Sequence, residues 1–338
     1  MARRPLSLAL VTLLLSACTD PALVASLPDV PPVPLDEALP AVQTQLADLR
    51  AAVDRRPGAA KAAAALGVHY LAYQFNEAAA VALERAVRLD PDNADFGYFY
   101  AEAQVRSGKL DDAAAALEAL LEHSPQDTAA RRRLGQVRLE LGQPEAARQA
   151  LTDAVTQTPD DAYARLALGR ALLDLDRPAD AAGQLQAAIE IAGAFDQAHL
   201  ALSQAWRALG NDAEADRELA LYSRHRGQRP LIDDPRLAAL LRLNLSDKAL
   251  LEHAARMHAA GRVADAIRAM ELAIERNPDA VSSRASLLAL YAAQGREAEA
   301  LAQFDAGRAL DPDYAPLFYG LGVLRNRQLL PAEARRAP

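Results

Sequence analysis

Pro91, Pro125 and Pro159 stand 34 residues apart, and Gly67, Gly135 and Gly169 lie on the same grid with Ala101 in the intervening place. Ala79, Ala113, Ala147, Ala181 and Ala215 keep that register, and so do Leu83, Leu117, Leu151, Leu185 and Leu219. A fixed period of this length means one small unit used repeatedly. No such unit can bury its own apolar face, so each stacks on its neighbours. Residues are 51% hydrophobic but only 5% aromatic, and alanine, the best helix former, is abundant. Helices lined with Ala and Leu approach one another closely, so the expected class is all-α.

The pattern resembles the tetratricopeptide repeat (TPR), which carries Leu-Gly at places 7 and 8, Tyr at 11, Ala at 20, an aromatic or Leu at 24, Ala at 27 and Pro at 32. Residues 60–93 supply Leu66-Gly67, Tyr70, Ala79, Leu83, Ala86 and Pro91. Units at 94–127, 128–161, 162–195 and 196–229 follow without a gap, making five over 60–229. Residues 230–246 are half a period long and read as an irregular connector with one short helix. The grid resumes in a new phase at 247–280 and 281–314, and an incomplete unit starts at Ala315, so 247–338 holds two units and part of a third. Small residues at places 8 and 20 let the two helices of a unit, A and B, nest. Gly108, Gly142, Gly210, Gly261 and Gly295 fall at the turn between them, where a left-handed backbone suits glycine. The resemblance implies a right-handed superhelical solenoid whose concave face is lined by the A helices.

The N-terminus has a different character. Arg3 and Arg4 precede an apolar run from Leu6 to Leu15. Ten helical residues rise roughly 15 Å, about half a bilayer core, so the run reads as the core of an export signal and not as a membrane span. Leu15-Ser16-Ala17-Cys18 resembles the lipobox of bacterial lipoproteins, which implies cleavage after residue 17 and acylation of Cys18, the only cysteine. An ordinary signal peptide followed by an unmodified cysteine is the alternative. Two or three acyl chains anchor stably where one does so only marginally. Asp20 lies one place beyond the position that favours inner-membrane retention in such lipoproteins, so the implied location is the outer membrane, facing the periplasm. Residues 18–35, with Pro21, Pro28, Pro31, Pro32 and Pro34, are expected to be an extended tether, and 36–59 an N-terminal helix with its apolar stripe ending at Pro57.

In the TPR family the groove is lined by places 2, 5, 9, 12 and 13 of helix A. Here these include Tyr98, Glu102 and Arg106, then Arg132, Gln136 and Leu139, then Tyr163 and Arg170, and finally Gln204 and Arg207. One arginine from each of four consecutive units would face an extended, partly acidic peptide or tail. The alternative is that these arginines are solvated surface charges. Lys and Asn at places 5 and 9, which make the carboxylate clamp of chaperone-binding members, are missing; the first unit has Ala64 and Val68.

The formal charge of −8, about −10 without Arg3 and Arg4, argues against nucleic acid as a partner. The six histidines lack metal-ligand spacing, and no phosphate loop, haem-attachment motif or nucleophile elbow occurs. Neither catalytic, metal-binding nor cofactor-binding residues are expected. The sequence therefore points to a lipid-anchored envelope scaffold that holds a multi-protein complex. The alternative is an accessory subunit that docks a periplasmic enzyme or cytochrome. The incomplete last unit suggests a homodimer through the C-terminal end.

Overall fold

The computed structural model describes residues 20–35, 40–228, 230, 234–243 and 247–329. The export signal, Cys18 and the last nine residues lie outside that range. All described regular structure is helical. A short α1 (Pro21–Ala25) and a longer α2 (Pro40–Arg55) precede five helical pairs. These are α3 (Ala60–Ala72) with α4 (Asn76–Leu89), α5 (Ala94–Arg106) with α6 (Leu110–His123), α7 (Thr128–Glu140) with α8 (Pro144–Gln157), α9 (Ala162–Asp174) with α10 (Pro178–Ala192), and α11 (Asp196–Ala208) with α12 (Asp212–Arg224). A short α13 (Pro235–Leu243) leads to α14 (Asp247–Ala259) with α15 (Val263–Arg276), α16 (Val281–Gln294) with α17 (Glu297–Leu310), and a last A helix, α18 (Ala315–Leu329).

The helix boundaries have local causes. Asn93, Asp127 and Asp161 sit at one grid place and cap α5, α7 and α9, accepting from the N–H groups of Phe96, Ala130 and Ala164. Pro144 and Pro178 open α8 and α10 at the first helical position, where a missing N–H costs nothing. The A-to-B turn needs a positive φ in every unit of the first array: 67° at Gln74, 75° at Gly108, 68° at Gly142, 55° at Asp176 and 76° at Gly210. Gln74 and Asp176 adopt the glycine conformation because the stacked helices on either side dictate it.

Inside the first, third and fourth units the close approach is built from one glycine and one leucine. A Cβ on Gly67, Gly135 or Gly169 would lie 2.6, 2.3 or 2.5 Å from Cγ of Leu83, Leu151 or Leu185, and all three leucines are fully buried. Neighbouring A helices touch, α3 with α5, α7 with α9 and α9 with α11, so they form the inner face of the array. The second array, from α14 to α18, has its own core around Met270, Leu288 and Leu317. On α18, Phe318 and Tyr319 are exposed.

The expected tether is corrected by the structure. Asp20 caps α1, whose Pro21 occupies the first turn and so permits a helix. Leu27 and Val30 are buried, and Val30 joins the core of the first array. Arg85, 7% exposed, donates to the carbonyl oxygens of Pro57 (2.9 Å) and Pro28 (3.2 Å), and Arg50 donates to that of Pro31 (3.0 Å). Proline carbonyls are unpaired in an extended segment, and a buried guanidinium satisfies them while covering the open end of the first unit. Residues 27–31 are therefore a cap on the array, and only the residues before them remain available as a tether.

Candidate peptide-binding groove

After α12 the chain does not continue the stack. Asp196, at the start of α11, accepts from Gly227 N–H (2.9 Å) and donates its own N–H to the Gln228 carbonyl (3.1 Å), which reverses the chain toward the concave side. The connector then runs back across the A helices. The Pro230 carbonyl accepts from the Tyr163 hydroxyl of α9 at 2.6 Å. Asp234 reaches α5 and α7, and α13 packs on α3 with Leu240 buried and Leu237 and Leu243 against the same core.

Asp234 is the centre of this contact. Its Oδ1 caps α13, accepting from the N–H groups of Arg236 (3.0 Å) and Leu237 (3.3 Å). Its Oδ2 accepts from the Tyr98 hydroxyl at 2.6 Å and faces Arg132 Nη2 at 3.5 Å. Arg132 also pairs with Asp161 at 2.6 Å. Two residues on, Arg236 pairs with Asp95 and Asp127, both at 2.7 Å, and lies over the Tyr98 ring, 4.7 Å from its centroid. Charges thus alternate across the groove, and each buried one has an opposite neighbour. Burial, reinforced by the Asp234 carboxylate, pushes the Tyr98 hydroxyl far above the ordinary phenol range, so it stays a donor. Burial works against the charge on Arg132 and on Arg236. It is outweighed by Asp161 in the first case and by Asp95 and Asp127 in the second, so both guanidiniums lie above their ordinary range.

The expected groove residues therefore divide. Tyr98, Arg132 and Tyr163 are brought together, but around the chain's own connector. Arg132 is not a free handle: it is 7% exposed and tied to Asp161 and Asp234. Glu102, 6% exposed, holds Arg106 (2.8 Å) and Arg133 (2.9 Å), and Arg133 reaches Gln136 (3.4 Å). Arg106, Arg170, Gln204 and Arg207 are exposed, with Arg207 near Asp216 at 3.5 Å. Leu139 is half-buried beside them, and Trp206 packs into the core. The result is a covered inner groove flanked by an exposed row further along the same A helices.

Sequence reasoning missed Asp95, Asp127 and Asp161 as charge partners: Asp127 and Asp161 are helix N-caps and Asp95 lies in the first turn of α5, places where an aspartate already has a local cause. It also missed Asp234 and Arg236, although an Asp-Pro pair followed by Leu237 and Leu240 is a helix-start signal. The histidines, which lack metal-ligand spacing in the sequence, include a buried one. His199, 5% exposed, stacks on His225 with ring centroids 5.6 Å apart, and its Nδ1 lies 2.7 Å from Glu218. Among the described residues no His, Cys, Asp and Glu group has metal-binding geometry, and no helix is long and apolar enough to cross a membrane. A cavity of about 530 Å³ lies under the N-terminal cap beside Arg50 and Arg85, away from the groove.

Comparison with known proteins places these repeats. Two tetratricopeptide-repeat profiles match, one in overlapping stretches over residues 70–136, 104–171 and 138–193, the other over 258–315. No curated protein matches the chain. Among solved structures, a crystal structure of MamA is 18% identical with a TM-score of 0.47, over 50% of this chain and 92% of that one. YrrB, described as a TPR protein with an unusual peptide-binding site, is 20% identical with a TM-score of 0.47, over 56% of this chain and 96% of that one. MamA from Desulfovibrio magneticus RS-1 is 20% identical with a TM-score of 0.47, over 49% and 94%. The 34-residue grid, the paired helices with their glycine–leucine contacts and the two matching profiles agree: the chain belongs to the tetratricopeptide repeat family, whose arrays are protein-interaction modules and not catalytic ones.

Proposed function

We propose that this protein is a lipid-anchored scaffold of a bacterial cell envelope, held by an acylated Cys18 and binding a partner protein along the concave side of its first array. The observation that carries the binding reading is the exposed row of Arg106, Arg170, Gln204 and Arg207 on successive A helices, with Gln136 half-buried among them. Guanidiniums and amides at this spacing suit the carboxylates and carbonyls of an extended segment. The anchoring reading rests on the Leu15-Ser16-Ala17-Cys18 sequence, and Asp20 in place of an aspartate directly after the cysteine favours the outer membrane, facing the periplasm.

The test is crosslinking capture from native membranes. The wild type is compared with a chain carrying Arg106→Glu, Arg170→Glu and Arg207→Glu; Arg132 is left alone because it holds the fold. A partner captured by the wild type and lost by the folded variant supports the row as the site. Equal capture by both removes it. Fractionation of Cys18→Ala tests the anchor: release into the soluble fraction is expected, and unchanged membrane retention refutes acylation at Cys18.

A further inference from the structure

We infer that the inner groove is a receptor for one kind of peptide, an aspartate capping a short apolar helix with an arginine two residues on, and that residues 234–243 are its tethered resident ligand. A partner carrying that signature displaces the connector. The inference rests on the scaffold reading above and names the ligand class of its groove.

The recognition is specific in three ways. The Tyr98 hydroxyl and Arg132 receive a carboxylate that is itself capping a helix. Asp95, Asp127 and the Tyr98 ring together enclose a guanidinium. The inner face of α3 takes leucines three residues apart, Leu237 and Leu240. A peptide lacking the carboxylate leaves Tyr98 without its acceptor, and one lacking the arginine leaves Asp127 facing the groove alone. Buried polar groups left unpaired discriminate strongly.

The connector also has the properties of a ligand that can leave. It lies outside the repeat grid, and other units of the first array are joined by as few as four residues, as between Leu89 and Ala94. When it departs, water entering the opened groove takes over the Tyr98 hydroxyl, and the charged groups keep partners of their own. Arg132 keeps Asp161 at 2.6 Å, Asp127 keeps its cap on α7 at 2.9 Å, and Asp95 is already 65% exposed. The released Asp234 and Arg236 become hydrated. The obstacle to a competitor is proximity: a short tether presents the connector at an effective concentration on the order of millimolar. A partner overcomes this by adding contacts, and the exposed row beside the groove supplies them on the same A helices.

The probe is a fluorescein-labelled synthetic peptide of residues 228–245, titrated by anisotropy into the purified full chain. Wild type is expected to bind weakly. A chain with Asp234→Lys and Arg236→Glu, which loosens the resident, is expected to bind at least about tenfold more tightly as the cis competitor is weakened. A control peptide bearing the same two changes is expected not to bind. Should the double variant misfold, hydrogen exchange on the wild type decides instead: millimolar peptide must speed exchange of the amides of 236–243. A folded variant that binds no better than wild type, or unchanged α13 exchange at saturating peptide, makes the connector a permanent strut and overturns the inference. Loss of partner capture by the Arg106/Arg170/Arg207 variant with no peptide binding would sink this inference and leave the scaffold reading standing. Peptide binding without any such loss would do the reverse.

Discussion

Tyr98→Phe removes one oxygen from the groove and nothing else. The ring stays 6.2 Å from Phe99 in an edge-on arrangement and still lies under Arg236. What disappears is the donor at 2.6 Å to Asp234, a carboxylate whose side chain is only 1% exposed. Hydrogen bonds to charged groups contribute about 1.5–3 kcal/mol. Arg132 Nη2, now at 3.5 Å, can close on the vacated oxygen, so the lower part of that range applies, about 1.5–2 kcal/mol. Because α13 packs chiefly on α3, the loss falls on docking of the connector and not on the stack. At 1.4 kcal/mol per factor of ten, the exchange of α13 amides should rise roughly 10- to 30-fold, while those of α7 and α9 stay unchanged. Native-state hydrogen exchange resolved by mass spectrometry measures this directly. Asp234→Asn combined with Tyr98→Phe should cost less than the two single changes added, since they share one contact. A change below about threefold would mean that Arg132, not Tyr98, holds the carboxylate. An equal rise in every helix of the first array would mean that α13 is part of its cooperative core, and the reasoning would fail.

Two further outcomes follow from packing and protonation. Gly135→Ala drives a Cβ to within 2.3 Å of Leu151, so overpacking of about 1–3 kcal/mol outweighs a helix-propensity gain of about 1 kcal/mol; the second unit, with Ala101 at this place, shows that part of the clash relaxes. Gly183→Ala, on the exposed side of α10 with nothing within 4 Å, should instead stabilise by about 0.5–1 kcal/mol, and urea midpoints moving the same way for both would contradict this account. In the second array Tyr291 is a buried residue whose partly buried hydroxyl donates to Glu271 at 2.7 Å, and desolvation together with that carboxylate pushes it up to about 12 from an ordinary 10. The folded state therefore holds that proton more tightly than the unfolded state. Its contribution is whole below about pH 10 and is lost as the pH rises to about 12, so Tyr291→Phe should flatten the fall in α16 stability across that window.

The repeats were legible because each one's causes are local. Gly67 and Leu83, or Asp127 and the start of α7, are close in sequence, and their spacing recurs on one grid. Contacts made once and across distance left no such pattern. Arg85 falls within a regular B helix, and nothing in its neighbourhood foretells that it gathers the carbonyls of Pro28 and Pro57. The proline run was read as extended for a sound steric reason, yet its unpaired carbonyls are what a buried arginine needs. In the same way, Tyr98 and Arg132 could be placed on the concave face by their position in helix A. That position cannot reveal that Asp234, 136 residues after Tyr98, comes back to meet it.

The half-period break at 230–246 has a topological consequence. A stack that simply continued would carry the second array outward from α12. Instead the connector crosses four units in reverse and ends on α3, and α14 begins four residues later, at most about 14 Å of chain. The second array therefore starts beside the first unit, at the end of the first array that the N-terminal cap covers and from which the chain leads back through Asp20 toward Cys18. With the anchoring at Cys18 proposed above, the beginnings of both arrays would face the membrane and the α11–α12 end of the first would point away from it. A ligand that removes the connector from the groove releases the start of the second array from α3. Occupancy of the groove and the freedom of the second array are then two readings of one equilibrium, and each must shift the other by the same free energy.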